Sequence, residues 1–125
     1  MKEERDPFTQ LIIGAAIEVH RIMGPGLLES VYQKCLEREL KLQGIACKAQ
    51  EPLPIEYKDE LIDDEYKIDF YFPGQLVLEI KAVERILPIH QAQLLTYLQL
   101  SKTRVGLLMN FNVPVLKDGI TRMVR

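Results

Sequence analysis

Residues 67–81 constrain the fold more than any other stretch of the chain. Ile68, Phe70 and Phe72 alternate with Lys67, Asp69 and Tyr71, which is the two-residue period of a strand with unlike faces. Ile62, Asp64 and Tyr66 keep the same parity, so one long strand is predicted from about residue 62 to 72. Pro73-Gly74 is a strong turn signal. Residues 76–83 then resume as a strand, with Leu78 and Ile80 on one face and Val77, Glu79 and Lys81 on the other. The outcome is a hairpin with charge on an otherwise apolar face.

The register of this hairpin decides its chemistry. If Phe72 faces Leu76 across a three-residue loop, Asp69 faces Glu79. Opposed Cβ atoms stand about 4.5–5.5 Å apart, within reach of one shared cation. A two-residue turn would shift the register by one and send the carboxylates to opposite faces. Paired carboxylates this close repel unless one is protonated or a cation binds between them. Mg²⁺ suits such a pair, because it prefers oxygen, takes one or two carboxylates and keeps waters or substrate phosphate as its other ligands. Lys81, two residues beyond Glu79, could orient an attacking water or neutralise charge on a phosphate oxygen. The competing reading is a solvated salt-bridge ladder on an exposed sheet face.

Helical periodicity frames the hairpin. Leu11, Ile12, Ala15, Ala16 and Val19 predict a helix over 7–23 that ends at Gly24-Pro25-Gly26, and Leu28, Val31, Leu36 and Leu40 predict a second from about 27 to 43 before Gly44. Gly24-Pro25-Gly26 lacks the Lys-Ser/Thr of a phosphate-binding loop. It reads as the turn that sets Glu29 at the start of the second helix, with Gly26 in a conformation or contact closed to side chains. Residues 45–50 and 53–57 are extended, and Pro54 confines them to a sheet edge or a bent strand. Pro88 suits the first turn of a third helix, to about Ser101. Strands follow at 104–111 and 120–124. The order α-α-β-β-β-α-β-β describes an α/β fold, a mixed sheet flanked by helices.

With 125 residues, 47% apolar and 27% charged, one globular domain over 1–125 is expected. No apolar run is long enough for a bilayer, and Met1-Lys2-Glu3-Glu4-Arg5-Asp6 lacks the form of a signal peptide, so a soluble cytoplasmic protein is expected. Cys35 and Cys47 have no metal-like spacing and read as buried free thiols. The net charge of −2 argues against bulk electrostatic capture of nucleic acid. Residues 1–64 nevertheless carry 8 Lys+Arg against 13 Asp+Glu, whereas residues 65–125 carry 8 against 5, so phosphate contacts belong to the second half. Lys67, Arg85, Lys102 and Arg104 are its candidates, although each reads first as an ordinary surface charge.

Gly26-Leu27-Leu28-Glu29-Ser30-Val31-Tyr32 matches the signature of the GxxExxY family, which resembles the PD-(D/E)xK, restriction-endonuclease-like nuclease superfamily. The likeness continues through Glu18-Val19-His20, Gly24-Pro25-Gly26, Asp69, Glu79-Ile80-Lys81-Ala82, residues 90–98, Gly106-Leu107-Leu108 and Asn110-Phe111. In that superfamily the first core helix often gives an acidic residue, the second core strand an Asp, the third strand the (D/E)xK pair and the next helix a Gln. The resemblance thus implies Glu29, Asp69, Glu79 with Lys81, and Gln93 as catalytic residues, with Asp69 and Glu79 holding Mg²⁺ or Mn²⁺. Ile68 stands where the motif has its proline. Gln91 competes with Gln93, but His90, Gln93 and Tyr97 share a helix face. Tyr32, His20 and Tyr97 are supporting candidates, with a packed aromatic as the alternative for Tyr32 and a helix-end cation for His20.

The function implied is metal-dependent phosphodiester hydrolysis of DNA, or after it RNA. A catalytically silent nuclease-like domain that binds nucleic acid or a protein partner is the alternative, and a subunit working beside a recognition domain is a third. A homodimer is compatible with each of these.

Overall fold

The computed structural model describes residues 6–125, so the expectation placed on residues 1–5 lies outside the described residues. Helix α1 (Pro7–Met23) starts where the Asp6 side chain accepts the Thr9 N–H at 2.7 Å, with Pro7 in the first turn. Helix α2 (Glu29–Leu42) ends in a Schellman pair, Ile45 N–H to Leu40 O at 2.9 Å and Gly44 N–H to Lys41 O at 3.1 Å. Strands follow at β1 (Lys48–Pro52), β2 (Ile55–Tyr57), β3 (Glu60–Asp63), β4 (Lys67–Phe72) and β5 (Leu76–Lys81). Helix α3 (Pro88–Ser101), strand β6 (Val105–Asn110), a 3₁₀ turn (Leu116–Gly119) and strand β7 (Ile120–Val124) complete the chain.

Five strands form one mixed sheet in the order β1-β4-β5-β6-β7. Only β5 and β6 pair in parallel, with α3 as their crossover, while β1-β4, β4-β5 and β6-β7 are antiparallel. Alternation along the central strands divides the core in two. Phe70, Phe72, Leu78, Ile80, Leu107 and Met109 pack under α1 and α2. Val77 and Leu108 point the other way and meet Leu94, Tyr97 and Leu98 of α3. Strand β5, covered on both faces, is accordingly buried from Leu76 to Ile80. At Gly106 a Cβ would lie 2.9 Å from Leu94 Cδ1, so the absent side chain permits the close approach of α3. This is the restriction-endonuclease-like arrangement implied by the sequence.

Three local expectations are corrected. The long strand at 62–72 is two strands: β3 pairs with β2 in a separate hairpin, and an Asp63 Oδ1 bond to Glu65 N–H at 2.7 Å turns the chain before β4. Parity therefore does not carry Ile62, Asp64 and Tyr66 into the face of Phe70 and Phe72. Ile68 also leaves that face and packs with Leu53 and Val77, because regular pairing breaks at Asp69. Both cysteines are free but half-buried, and burial pushes the Cys47 thiol up, which makes it a poor nucleophile. Among the described residues no helix is long and apolar enough to cross a membrane.

Candidate active site

Phe72 pairs with Leu76, Tyr71 with Val77 and Phe70 with Leu78, the register that brings Asp69 level with Glu79. There the backbone ladder stops and side chains take its place. Asp69 N–H donates to Glu79 Oε2 at 2.8 Å, and Ile80 N–H donates to Asp69 Oδ2 at 2.8 Å. Each carboxylate thus holds the opposite strand, which fixes both side chains. On the other side of β4, the Gln50 and Asp69 pair is likewise missing from a ladder that runs through Ala49-Phe70 and Glu51-Ile68. Gln50 adopts a left-handed φ of 53°, and its Nε2 donates to Asp69 Oδ1 at 3.3 Å. Gln33 of α2 donates to the Asp69 carbonyl at 3.2 Å.

Burial dominates the electrostatics of both carboxylates. Glu79, only 4% exposed, has its pKa raised from 4.5 to about 8, first by desolvation and then by the Asp69 charge. Desolvation also raises Asp69, against lowering by its Ile80 and Gln50 hydrogen bonds. Lys81 lowers both from the end of β5, yet makes no ion pair with either carboxylate. The salt-bridge ladder considered from the sequence is therefore absent from this trio. Glu29, the first residue of α2, is exposed at the mouth of the site; desolvation raises it, Lys81 lowers it and Asp69 raises it. From the opposite face, Gln93 Nε2 donates to the Tyr97 hydroxyl at 3.1 Å. Burial and then the Glu79 charge push Tyr97 up to about 12, so its phenol stays protonated beside the carboxylates.

Glu29, Asp69, Glu79 and Lys81 thus form one electrostatically linked group, and Tyr97 lies within reach of Glu79 and Asp69, with Gln93 joined through Tyr97. Two supporting candidates sit elsewhere. The Tyr32 side chain is fully buried and stacks on Phe111 with centroids 4.7 Å apart. Its hydroxyl donates to Gly24 O and accepts from Leu27 N–H at 3.1 Å, so it closes the Gly24-Pro25-Gly26 turn and does not reach for phosphate. Gly26 has φ 104° with open space around its Cα, so conformation and not contact requires glycine there. Tyr32→Phe leaves two backbone groups of that turn without their partner and should cost about 1–2 kcal/mol. Thermal unfolding measures this, and an unchanged midpoint would remove the hydroxyl as the clasp. His20 is buried, and its Nε2 donates to the carbonyls of Val113 at 2.8 Å and Phe111 at 3.2 Å. It joins α1 to the chain after β6 and makes no bond to the carboxylates.

Sequence reasoning missed Gln50, Gln33 and Asn110. Asn110 pairs with Lys81 across β5-β6, accepts the Val83 N–H at 3.1 Å and donates to Val83 O at 2.9 Å, so it anchors the chain leaving Lys81. A polar residue in line with Asp69 on a third strand would have pointed to Gln50, but the β1 register is not readable locally.

Among the described residues no three His, Cys, Asp or Glu side chains form a ready metal cage. The donor set is instead a buried and a half-buried carboxylate, with the Asp69 charge raising the Glu79 pKa and no ion-pair partner among the described residues, which fits a cation that brings its own water ligands. No curated protein and no solved structure shows significant similarity to the chain. The family model of the PD-(D/E)XK nuclease superfamily, however, matches residues 6–123, and with the Asp69, Glu79 and Lys81 arrangement on a mixed sheet the chain belongs to that superfamily.

Proposed function

We propose that the chain, acting as one domain, is a metal-dependent nuclease that hydrolyses phosphodiester bonds in nucleic acid, DNA before RNA. The observation that carries this reading is the pair of carboxylates from adjacent strands, Glu79 buried and Asp69 half-buried, each fixed by the other strand's backbone and neither neutralised by an ion pair among the described residues. Asp69 and Glu79 would hold Mg²⁺ or Mn²⁺. When bound, such an ion supplies Lewis acidity at a phosphoryl oxygen and makes water a stronger acid. Lys81 contributes a fixed positive charge beside the pair, suited to the charge that grows on the phosphate as water attacks and the P–O bond breaks. Gln50 and Gln33 keep Asp69 in place, Glu29 adds negative charge at the mouth, and Gln93 orients the Tyr97 hydroxyl.

Adding Mg²⁺ or Mn²⁺ should raise the melting temperature, because a ligand that binds only the folded state stabilises it. Asp69→Asn should abolish that shift together with cleavage of single-stranded, duplex and branched oligonucleotides. A metal-induced shift that persists in Asp69→Asn places the ion elsewhere and removes Asp69 as its ligand.

A further inference from the structure

An open groove of about 760 Å³ lies between α3 and the chain that enters β4. Its walls include Tyr66, Ile89, Tyr97 and Leu100, and His90 and Gln93 supply polar atoms. Among the described residues no Lys, Arg, Asp or Glu lines it. A phosphate backbone calls for cationic or dense N–H donors, so this lining does not suit the sugar-phosphate chain. It does suit a nucleobase, which has an apolar π-face and a polar edge. Tyr66, 44% exposed, stands edge-on to Tyr97 with centroids 6.3 Å apart and leaves a ring face open for stacking. Leu87 N–H donates to His90 Nδ1 at 2.9 Å, so the neutral ring carries its proton on Nε2, a donor for base oxygens or nitrogens. Tyr97, with Gln93 bonded to its hydroxyl, lines the groove and lies within electrostatic reach of Glu79 and Asp69, which links the groove to the carboxylate site.

We infer that the groove is a nucleobase subsite: a base next to the phosphodiester at Asp69 and Glu79 stacks on Tyr66 and bonds to His90 and Gln93, which selects unpaired strands over intact duplex. A base locked in a duplex cannot enter without unpairing, which costs free energy that a single strand is spared. The inference rests on the nuclease reading and narrows its substrate class.

Binding of fluorescein-labelled oligothymidylate, its duplex with oligoadenylate, and an abasic strand of the same length, measured by anisotropy with Ca²⁺ in place of Mg²⁺, tests it. The single strand should bind at least about tenfold more tightly than the duplex or the abasic strand, as expected for stacking of a base on an aromatic ring. Tyr66→Ala should remove about tenfold, Tyr66→Phe should retain affinity, and Tyr57→Ala, a tyrosine exposed outside the groove, should change nothing. Equal affinity for duplex, or an unchanged single-strand affinity in a folded Tyr66→Ala, overturns the subsite. Cleavage that Asp69→Asn abolishes and Tyr66→Ala leaves intact on every substrate also overturns the subsite, while hydrolysis stands. Tyr66-dependent binding of single strands without cleavage in Mg²⁺ or Mn²⁺ supports the subsite and removes hydrolysis. Binding of no oligonucleotide overturns it and turns the groove towards a protein partner.

Discussion

Glu79→Gln is expected to stabilise the metal-free protein above pH 7 while abolishing metal-dependent cleavage. The folded-state pKa of Glu79 is raised from 4.5 to about 8, so between these values the native state holds a proton that the unfolded state has lost. Stability then falls as pH rises through that window and levels off above it. Below the lower value both states are protonated and the group has no effect. At about 1.4 kcal/mol per unit, the penalty above the window is about 5 kcal/mol. Glutamine is neutral throughout and its Oε1 can still accept the Asp69 N–H, so this penalty disappears. Denaturant unfolding from pH 4 to 9 in the presence of a chelator measures the difference. Wild type should lose stability across the window and the variant should lose far less, the remaining slope coming from Asp69, which is raised in the same direction. Mg²⁺ should restore wild type at high pH and leave the variant unmoved. Parallel curves for the two proteins would contradict the assignment of the buried charge to Glu79.

Lys81→Ala should lower kcat by about 10²–10³ with little change in KM, the size of effect seen when one preorganised donor to a developing charge is lost. Lys81 lies in β5 with its carbonyl bonded to Phe111 N–H at 2.8 Å, so truncating the side chain leaves the backbone in place. It also lowers the pKa of Glu29, Asp69 and Glu79, and its removal should shift the pH dependence of metal binding upwards. Steady-state kinetics on the best oligonucleotide substrate, paired with a metal titration at two pH values, separates these effects. A kcat within about threefold of wild type would mean that no transition-state charge depends on this ammonium.

The helices and the hairpin were legible because their signals are local. Apolar spacing marks α1 and α2, Pro88 marks the start of α3, and Pro73-Gly74 limits how β4 and β5 can meet. Once Phe72 faces Leu76, strand geometry alone brings Asp69 and Glu79 together. Other features depend on atoms far apart in the chain. The Gln33 bond to the Asp69 carbonyl spans 36 residues, and the His20 bond to Val113 spans 93. No periodicity reports such contacts, which is why His20 resembled a site residue and Gln33 and Gln50 resembled nothing in particular. Tyr32 shows the same division: its place on α2 followed from spacing, but its hydroxyl turned back to Gly24 and Leu27 because the neighbouring loop, not a substrate, offered the nearest unpaired backbone groups.

The sequence by itself determined which residues carry charge, where the three helices and the β4-β5 hairpin lie, and that two carboxylates and a lysine share that hairpin. Only the tertiary structure decided that the ladder yields to side chains at Asp69, that Gln50 turns left-handed to meet it, and that α3 covers the face and desolvates Glu79. Local pattern is set by each residue's own backbone and side-chain preferences, whereas desolvation and broken pairing arise only when separate elements compete for the same space and the same hydrogen bonds.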